Sequence, residues 1–349
     1  MQVRDRSLLS LSWPLILTFG VGTLQPMMDS WFLSRTSETA AAGVGALMPV
    51  LGALFMAIQA FSQAGASIAS QFLGAERKRQ AGVTQSMVLA GSLLLGIAIT
   101  LIVIPLANQI ISWMGLTGEA AKHAKDFLHI VSFGFAFRSL QTTLTALIAT
   151  HGLTIWNLFG NIFTILSNFV LNIVFLNGLF GLPKMGVEGV ALATMLSWLI
   201  SSFILFLVLH FKIQHRFKRS DWVRFRIILP DWIRIGLPAA AEPVSFQLFQ
   251  VFLTAMVVHF GTLAITARVF SANFAMFAVI LSVGLGSGNQ ILVAHLVGAQ
   301  DFKKANKRVH QSLLGSCLGA MFISIIVAIC GTHLLSLYTN NSDILKLGY

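Results

Sequence analysis

The sequence alternates long apolar runs with short polar loops, and this pattern constrains the fold more than any other feature. A helix needs about 20 apolar residues to cross a hydrocarbon layer of ~30 Å. The windows that meet this requirement are residues 9–33, 41–73, 82–106, 127–150, 156–180, 187–211, 233–259, 264–297 and 310–337. We therefore predict an all-α polytopic membrane protein with about nine transmembrane helices.

The composition excludes an ordinary soluble protein. Hydrophobic residues make up 56% of the chain and charged residues 10%, whereas soluble domains carry about 25% charged residues. Lipid must therefore be the solvent for most of the chain. The first apolar run continues from Trp13 to Leu33 without a small-residue cleavage site, so it predicts a membrane span and not a removable signal peptide.

The basic residues indicate the orientation of the chain. A formal net charge of +11 would suggest nucleic acid in a soluble protein, but here the charges occupy short loops, so no nucleic-acid partner is expected. With a cytoplasmic N-terminus, most of the 23 lysines and arginines fall on the cytoplasmic side, in loops such as 77–79, 212–234 and 303–308. The positive-inside rule therefore predicts a multi-pass protein of the inner or plasma membrane, with its C-terminus outside.

The longest polar and basic interruption of the chain, residues 212–234, divides the predicted helices into six and three. We predict an N-lobe over residues 1–211, a basic cytoplasmic linker over 212–234, and a partial C-lobe over 235–349. The expected architecture is a six-helix bundle followed by an incomplete three-helix bundle.

The chain also contains an internal repeat. A shift of 224 residues, made without a gap, aligns Pro14 with Pro238 and Gly74 with Gly298. Because six helices separate the two copies, both enter from the same face, which makes the repeat parallel about an axis along the membrane normal. The last three helices of the first lobe have no counterpart within the 349 residues, so the second lobe is expected to be half present.

Asp29 is the first candidate functional residue, because it lies near the outer end of helix 1 among apolar neighbours. A carboxyl group inside a membrane is costly and is a functional hypothesis by default. It could exchange a proton, or remain charged beside a sodium ion or a cationic substrate. The alternative is that Asp29 only caps the helix in the headgroup region. Pro26 removes the hydrogen bond to the carbonyl of Gly22, so a hinge in helix 1 is predicted there.

Asn168 and Asn172 lie four residues apart in helix 5, which places both amides on one helical face. They could ligate an ion or donate hydrogen bonds to a carboxylate. The alternative, hydrogen bonding between neighbouring helices, is equally compatible with the spacing.

Three further charged residues fall within predicted spans. Glu242, near the start of helix 7, is either a second-lobe cation site or the counter-ion of Arg268. Arg138 and Arg268, in helices 4 and 8, each need a charge partner or water, and the sequence does not decide which.

Signatures of enzymes are absent from the sequence. It has no phosphate-binding glycine loop with its lysine, no zinc pattern and no nucleophile elbow. We expect neither catalysis nor a bound metal or organic cofactor.

Several short segments carry a resemblance to a known family. They lie in helices 1, 2 and 7 and between helices 5 and 6: Ser12-Trp13-Pro14-Leu15-Ile16, Met28-Asp29-Ser30-Trp31-Phe32, Ser70-Gln71-Phe72-Leu73-Gly74-Ala75, Gly236-Leu237-Pro238-Ala239-Ala240, Asn168–Asn172, Phe180–Pro183, Gly186–Gly189 and Ala191–Thr194. These segments are similar to motifs of MATE transporters, the multidrug and toxic compound extrusion family. The resemblance extends over nearly the whole chain, but the family has twelve helices in two bundles, and helices 10 to 12 are missing here.

The resemblance implies efflux of organic cations in exchange for H⁺ or Na⁺, by alternating access between two lobes. Carried over by position, Asp29 matches the acid that binds the coupling ion, Asn168 and Asn172 match a polar pair, and Thr194 matches a nearby hydroxyl. Some members have aspartate at the place of Asn172. Other members carry glutamate at the place of Glu242, which keeps a second-lobe site as a candidate.

Two other functions remain open from the sequence. One is an inactive, truncated remnant of such a transporter. The other is a flippase for lipid-linked precursors, which Arg138 and Arg268 favour and the helix 1 acid disfavours. Expected partners are small cationic or amphiphilic substrates, the lipid bilayer, and a further copy or chain that supplies the missing helices.

Overall fold

The structure is a computed structural model that describes residues 3–213, 225–258 and 262–336; side chains at 225–227, most of those at 251–275, and those beyond 330 are outside the description. Its secondary structure is entirely helical in these residues. Two short 3-10 turns, Val3–Asp5 and Leu179–Gly181, accompany the α-helices, which are α1 Leu8–Gly22, α2 Leu24–Thr36, α3 Glu38–Gly74, α4 Lys78–Trp113, α5 Gly118–Phe133, α6 Phe135–Thr150, α7 Thr154–Asn177, α8 Val187–Lys212, α9 Phe225–Val258, α10 Thr262–Gly298 and α11 Phe302–Ser336.

Within the described residues, 7 helical segments are long and apolar enough to cross a membrane. They are Leu8–Thr36, Glu38–Gly74, Lys78–Trp113, Thr154–Asn177, Val187–Lys212, Met276–Gly298 and Phe302–Cys330. Two of the windows predicted from the sequence, 127–150 and 233–259, have no counterpart in this set. The first is divided between two helices of 16 residues each. The described part of the second, residues 233–258, lies within α9, which begins at Phe225, inside the predicted linker.

The predicted first span is broken into two helices at Thr23. Its backbone N–H and its hydroxyl both donate to the carbonyl of Gly20, at 3.2 and 2.7 Å, which is the hydrogen bonding of a turn. Asn161 of α7 donates to the carbonyl of Thr18, at 2.6 Å, so a neighbouring helix supports the bend. The break lies three residues before Pro26, whose missing N–H removes one hydrogen bond from this stretch.

The predicted fourth span is divided at Gly134, between α5 and α6. A Cβ atom at this position would lie 3.1 Å from the indole ring of Trp198 on α8 and 3.0 Å from the carbonyl of Val131. Glycine therefore permits the close approach of α8 at the break. Trp198 itself is 3% exposed and belongs to a core that includes Phe127 and Phe135.

The two copies of the repeat have matching helices. α3 and α10 begin at Glu38 and Thr262 and end at Gly74 and Gly298, so both pairs of boundaries are 224 residues apart. The starts of α4 and α11 are separated by the same interval. The repeat predicted from the sequence is therefore confirmed in the helix boundaries.

The two copies meet where α3 and α10 end. A Cβ atom on Gly74 would overlap the backbone of His295, and one on Gly298 would overlap the backbone of Gln71. Gln71 and His295 are also 224 residues apart, so equivalent residues of the two copies form this contact. His295 donates to the carbonyl of Thr150 at the end of α6, at 2.8 Å, which ties a third helix to the same place.

We expect Gly298→Val to destabilise the protein by about 1–3 kcal/mol, because the new side chain must displace backbone atoms of α3. Gly286→Val on the same helix is the matched control, since a Cβ there meets nothing within 4 Å. Thermal unfolding of both variants in detergent tests the contact. Equal melting temperatures for the two variants would show that the glycine approach contributes nothing.

Candidate functional site

Four polar side chains from three helices form a buried hydrogen-bonded cluster. Asp29 on α2 accepts a bond from the Nδ2 of Asn172 on α7, at 3.2 Å, and one from the hydroxyl of Thr194 on α8, at 3.1 Å. Asn168 donates to Thr194 at 3.3 Å and accepts from Asn172 at 3.1 Å. The structure thus brings together the four residues that the sequence analysis singled out for cation or proton coupling.

Local helix geometry explains this convergence. Asn168 and Asn172 are four residues apart and share one face of α7, so both amides reach α2 and α8 from the same side. Asp29 is 5% exposed and the two asparagines are fully buried. The charge is therefore kept away from solvent and is stabilised by uncharged hydrogen-bond donors, which leave its negative charge uncompensated.

The cluster has unused acceptor capacity. The Oδ1 of Asn172 is buried and has no hydrogen-bond partner in the part of the chain that the structure describes. The hydroxyl of Thr194 lies 3.1 Å from Asp29 and 2.9 Å from the carbonyl of Val190, but its single proton can serve only one of them at a time. A proton or a small cation beside Asp29 would pair with its carboxylate, which accepts hydrogen bonds from neutral groups only.

A cavity of about 390 Å³ opens beside this cluster. Asp29 and Thr194 line it, whereas Asn168 and Asn172 lie behind them, outside its lining. Its walls come from both predicted lobes, since Ser287 and Ile291 of α10 contribute. Its other polar lining includes Gln25, Gln59, Gln63, Arg138, Gln141, Thr142, Thr145, Asn157 and Asn161.

Pro26 lines the cavity three residues before Asp29. Its position also follows the break of helix 1 at Thr23. Pro26, the predicted hinge residue, therefore lies near the break in helix 1 and beside the cavity. Whether it acts as a hinge stays a prediction.

Arg138 on α6 also lines the cavity. Its guanidinium donates to the Oε1 of Gln141 at 2.9 Å and lies over the rings of Phe55 and Trp198, at 5.3 and 5.6 Å from their centroids. Among the described residues no carboxylate lies within salt-bridge distance of it; the ion pairs there are Arg4–Glu76 and Lys304–Asp301. The sequence analysis predicted that Arg138 needs a charge partner or water, and the described residues provide it with no charge partner.

The structure does not bring Glu242 to the cluster. It is exposed on α9 and does not line the cavity. Arg268 falls within α10, but its side chain is outside the described residues, so the predicted pairing with Glu242 stays a prediction.

Apart from Asp29, Thr194 and Arg138, sequence reasoning missed the polar wall of the cavity. Arg138, Gln141, Thr142 and Thr145 recur at intervals of three and four residues, and all four line the cavity. This spacing marks one face of a helix. This polar stripe was a signal that could have identified the wall.

Comparisons with known proteins agree with this architecture. The transporter YisQ of Bacillus subtilis (strain 168), described as uncharacterized, is 28% identical over 341 residues, which cover 97% of this chain and 75% of the relative. The probable multidrug resistance protein NorM of the same strain is 26% identical over 360 residues, with coverage of 98% and 76%.

Solved structures show the same fold. The crystal structure of MATE in complex with MaL6 matches with a TM-score of 0.88 at 20% identity, over 98% of this chain and 76% of that one. The profile of the MatE family matches residues 14–174 and 238–349, which is most of the chain. The chain therefore belongs to the MatE family of transporters.

Proposed function

We propose that this chain is a secondary active antiporter that exports organic cations and cationic amphiphiles in exchange for H⁺ or Na⁺. The observation that carries this proposal is the carboxylate of Asp29, which is buried among membrane helices, bonded only to neutral donors, and placed at the wall of a cavity. The relative NorM, described as a probable multidrug resistance protein, supports the same class of substrate.

The exchange follows from the cost of a buried charge. A carboxylate that neutral groups alone surround is stabilised strongly by any cation that reaches it. A proton, a sodium ion and a cationic substrate can each serve, but one carboxylate offers one charge. Competition of ion and substrate for Asp29 therefore couples the entry of one to the release of the other.

Either coupling ion suits the groups present. Sodium is a hard cation that prefers oxygen ligands, and the carboxylate of Asp29 and the hydroxyl of Thr194, 3.1 Å apart, offer such oxygen atoms. A proton needs only the carboxylate. No cofactor beyond the coupling ion is required.

Alternating access would use the two lobes proposed from the sequence, residues 1–211 and 235–349, with about nine spans in total and a cytoplasmic N-terminus. Supporting this, α9 and α10 contact α3, and α10 contacts α1, so the second lobe packs on the first across the cavity. The break at Thr23 would let the part of helix 1 that bears Asp29 move when the ion binds.

The described part of the second lobe exposes large apolar side chains, among them Phe249, Phe252 and Phe322, which are 55%, 63% and 65% exposed. Lipid or a second copy of the chain would cover them. This exposure supports a location in the inner or plasma membrane and is compatible with self-association.

Asp29→Asn should reduce export of a fluorescent cation such as ethidium by about tenfold or more, because the amide keeps the size of the side chain and removes the charge that attracts the cation. The measurement is ethidium accumulation in efflux-deficient bacteria, with membrane levels checked by immunoblot. Glu119→Gln, at the exposed start of α5, is the control.

Unchanged export by Asp29→Asn would contradict the proposal. If neither the original chain nor Asp29→Asn lowers ethidium accumulation at equal membrane levels, the inactive-remnant interpretation replaces the proposed function.

Asn172→Asp should make the protein depend more strongly on sodium. It would place a second carboxylate where the Asn172 amide now lies 3.2 Å from Asp29, and two close carboxylates repel unless a cation binds between them. We expect a lower melting temperature than that of the original chain in potassium buffer and a larger rise on adding sodium. Asn177→Asp, at the exposed end of the same helix, is the matched control; an equal response of both variants would refute a cation site at Asn172.

A further inference from the structure

The residues just before α1, 3–6, lie across the ends of several helices. The guanidinium of Arg6 donates to the carbonyl of Gly152, just after the end of α6, at 2.6 Å. Arg4 forms an ion pair of 3.7 Å with Glu76, just after the end of α3. The 3-10 turn before α1 also packs on α10. These residues, which we call the N-terminal strap, therefore join two helix ends of the first lobe to a helix of the second.

Arg6 contributes more to this contact than Arg4. The carbonyls at the end of a helix carry the negative end of its dipole, so a guanidinium that donates there gains from both the hydrogen bond and the charge. A Cβ atom on Gly152 would lie 3.0 Å from the Nη1 of Arg6 and 3.3 Å from the side chain of Val3, so the strap lies directly against this turn. Glu76 is exposed, and exposed ion pairs contribute little to stability.

Val3 packs against the floor of the cavity. The floor is an apolar cluster of Leu15, Ala149 and Ile291, which are buried and also line the cavity. Leu15 and Ala149 belong to the first lobe, whereas Ile291 belongs to the second. Val3 packs on this cluster without lining the cavity. It therefore covers the seam between the two lobes from the side away from the cavity.

The lobes cannot separate at this end while the strap keeps its contacts. The strap continues directly into α1, so it moves with the first lobe, and its contact with α10 must then break. The glycine contact of Gly74 and Gly298 and the bond from His295 to the carbonyl of Thr150 lie at the same end of the bundle. This end carries the N-terminus and is the predicted cytoplasmic end.

We propose that the N-terminal strap holds the cavity closed at the predicted cytoplasmic end and is released when the two lobes separate there. This inference rests on the two-lobe movement of the proposed function. The bond of Arg6 and the contact of Val3 exist in the closed arrangement and are lost in the open one, so they shift the equilibrium toward the closed arrangement. Access to Asp29 from this end is thus controlled by residues outside the cavity.

The test measures the exposure of a buried side chain beside the strap. Thr150 is fully buried and does not line the cavity, so a thiol there reacts with a water-soluble maleimide only when this end opens. Thr150→Cys is introduced together with Cys317→Ala and Cys330→Ala, which remove the two exposed thiols of α11. The purified full chain is labelled in lipid nanodiscs, and the labelling rate is measured by mass spectrometry.

Arg6→Gln should raise the labelling rate at position 150 about tenfold, since it removes a charge-assisted hydrogen bond that only the closed arrangement makes. Arg6→Lys should give a smaller rise, because it keeps the charge but not the shape of the guanidinium. Val3→Asn should also raise the rate, because a polar side chain covers an apolar cluster poorly. Arg79→Gln, exposed in the first turn of α4 at the same end, is the matched control and should leave the rate unchanged.

A second reporter separates opening from loss of structure. Ser132→Cys, with the same two alanine substitutions, places the thiol at a fully buried position of α5 that does not line the cavity. Its labelling rate should be the same with and without the strap substitutions. Equal rises at positions 132 and 150 would show that the strap only stabilises the fold, and would overturn the inference.

Two other results would also overturn it. One is an unchanged rate at position 150 in both Arg6→Gln and Val3→Asn. The other is a rise in Arg79→Gln as large as that in Arg6→Gln, which would reduce the effect to the loss of any positive charge at this end. Neither result involves Asp29, so the proposed antiport would stand. Conversely, a labelling rate that depends on the strap, in a chain that does not lower ethidium accumulation, would contradict the proposed function and leave the role of the strap intact.

Discussion

Burial of one carboxylate is the constraint on which the rest of this structure depends. Asp29 is removed from water by α2, α7 and α8, and the groups that face it are amides and a hydroxyl. In a low-dielectric interior such an arrangement stabilises the ion only in part, because neutral donors supply hydrogen bonds but no opposite charge. A cation or a proton beside Asp29 would stabilise the site further, and the ion-coupled exchange proposed above depends on this property.

The surroundings of Asp29 follow from the same constraint. Asn168 and Asn172 hold the carboxylate from behind and leave its cavity side open. The break of helix 1 at Thr23 separates the half that carries Asp29 from the half that contacts α10. In the proposed mechanism this break is the point at which the two halves of helix 1 would bend relative to each other.

The cluster itself could be predicted from the sequence, and the cavity could not. An acid in an apolar run, two asparagines at helical spacing and a family motif are local signals, and they are enough to predict Asp29, Asn168, Asn172 and Thr194 as site residues. The place of Trp198 in the cavity wall depends on α8 approaching the break at Gly134, and no local pattern encodes that approach.

The same difference explains the helix boundaries. Hydropathy locates apolar stretches but does not locate breaks inside them, because a break depends on hydrogen bonds from neighbouring helices, such as the bond from Asn161 to the carbonyl of Thr18. The windows at 9–33 and 127–150 were each expected to be one helix and are each divided. The internal repeat can be detected in the sequence because its landmark residues recur at a fixed interval. Detecting a fixed interval does not require knowing which residues are in contact.

The glycine contact between α3 and α10 has the form of an interface between two identical subunits. Gly74 faces His295 while Gly298 faces Gln71, and exchanging the two copies of the repeat turns each half of the contact into the other. In a symmetric dimer a single mutation alters both halves of such an interface together. Joined in one chain, the halves mutate separately, so Gln71 and His295 could diverge while the two glycines kept the helices close. In this chain the second copy carries an imidazole at this position, where the first carries an amide, and the imidazole anchors a third helix.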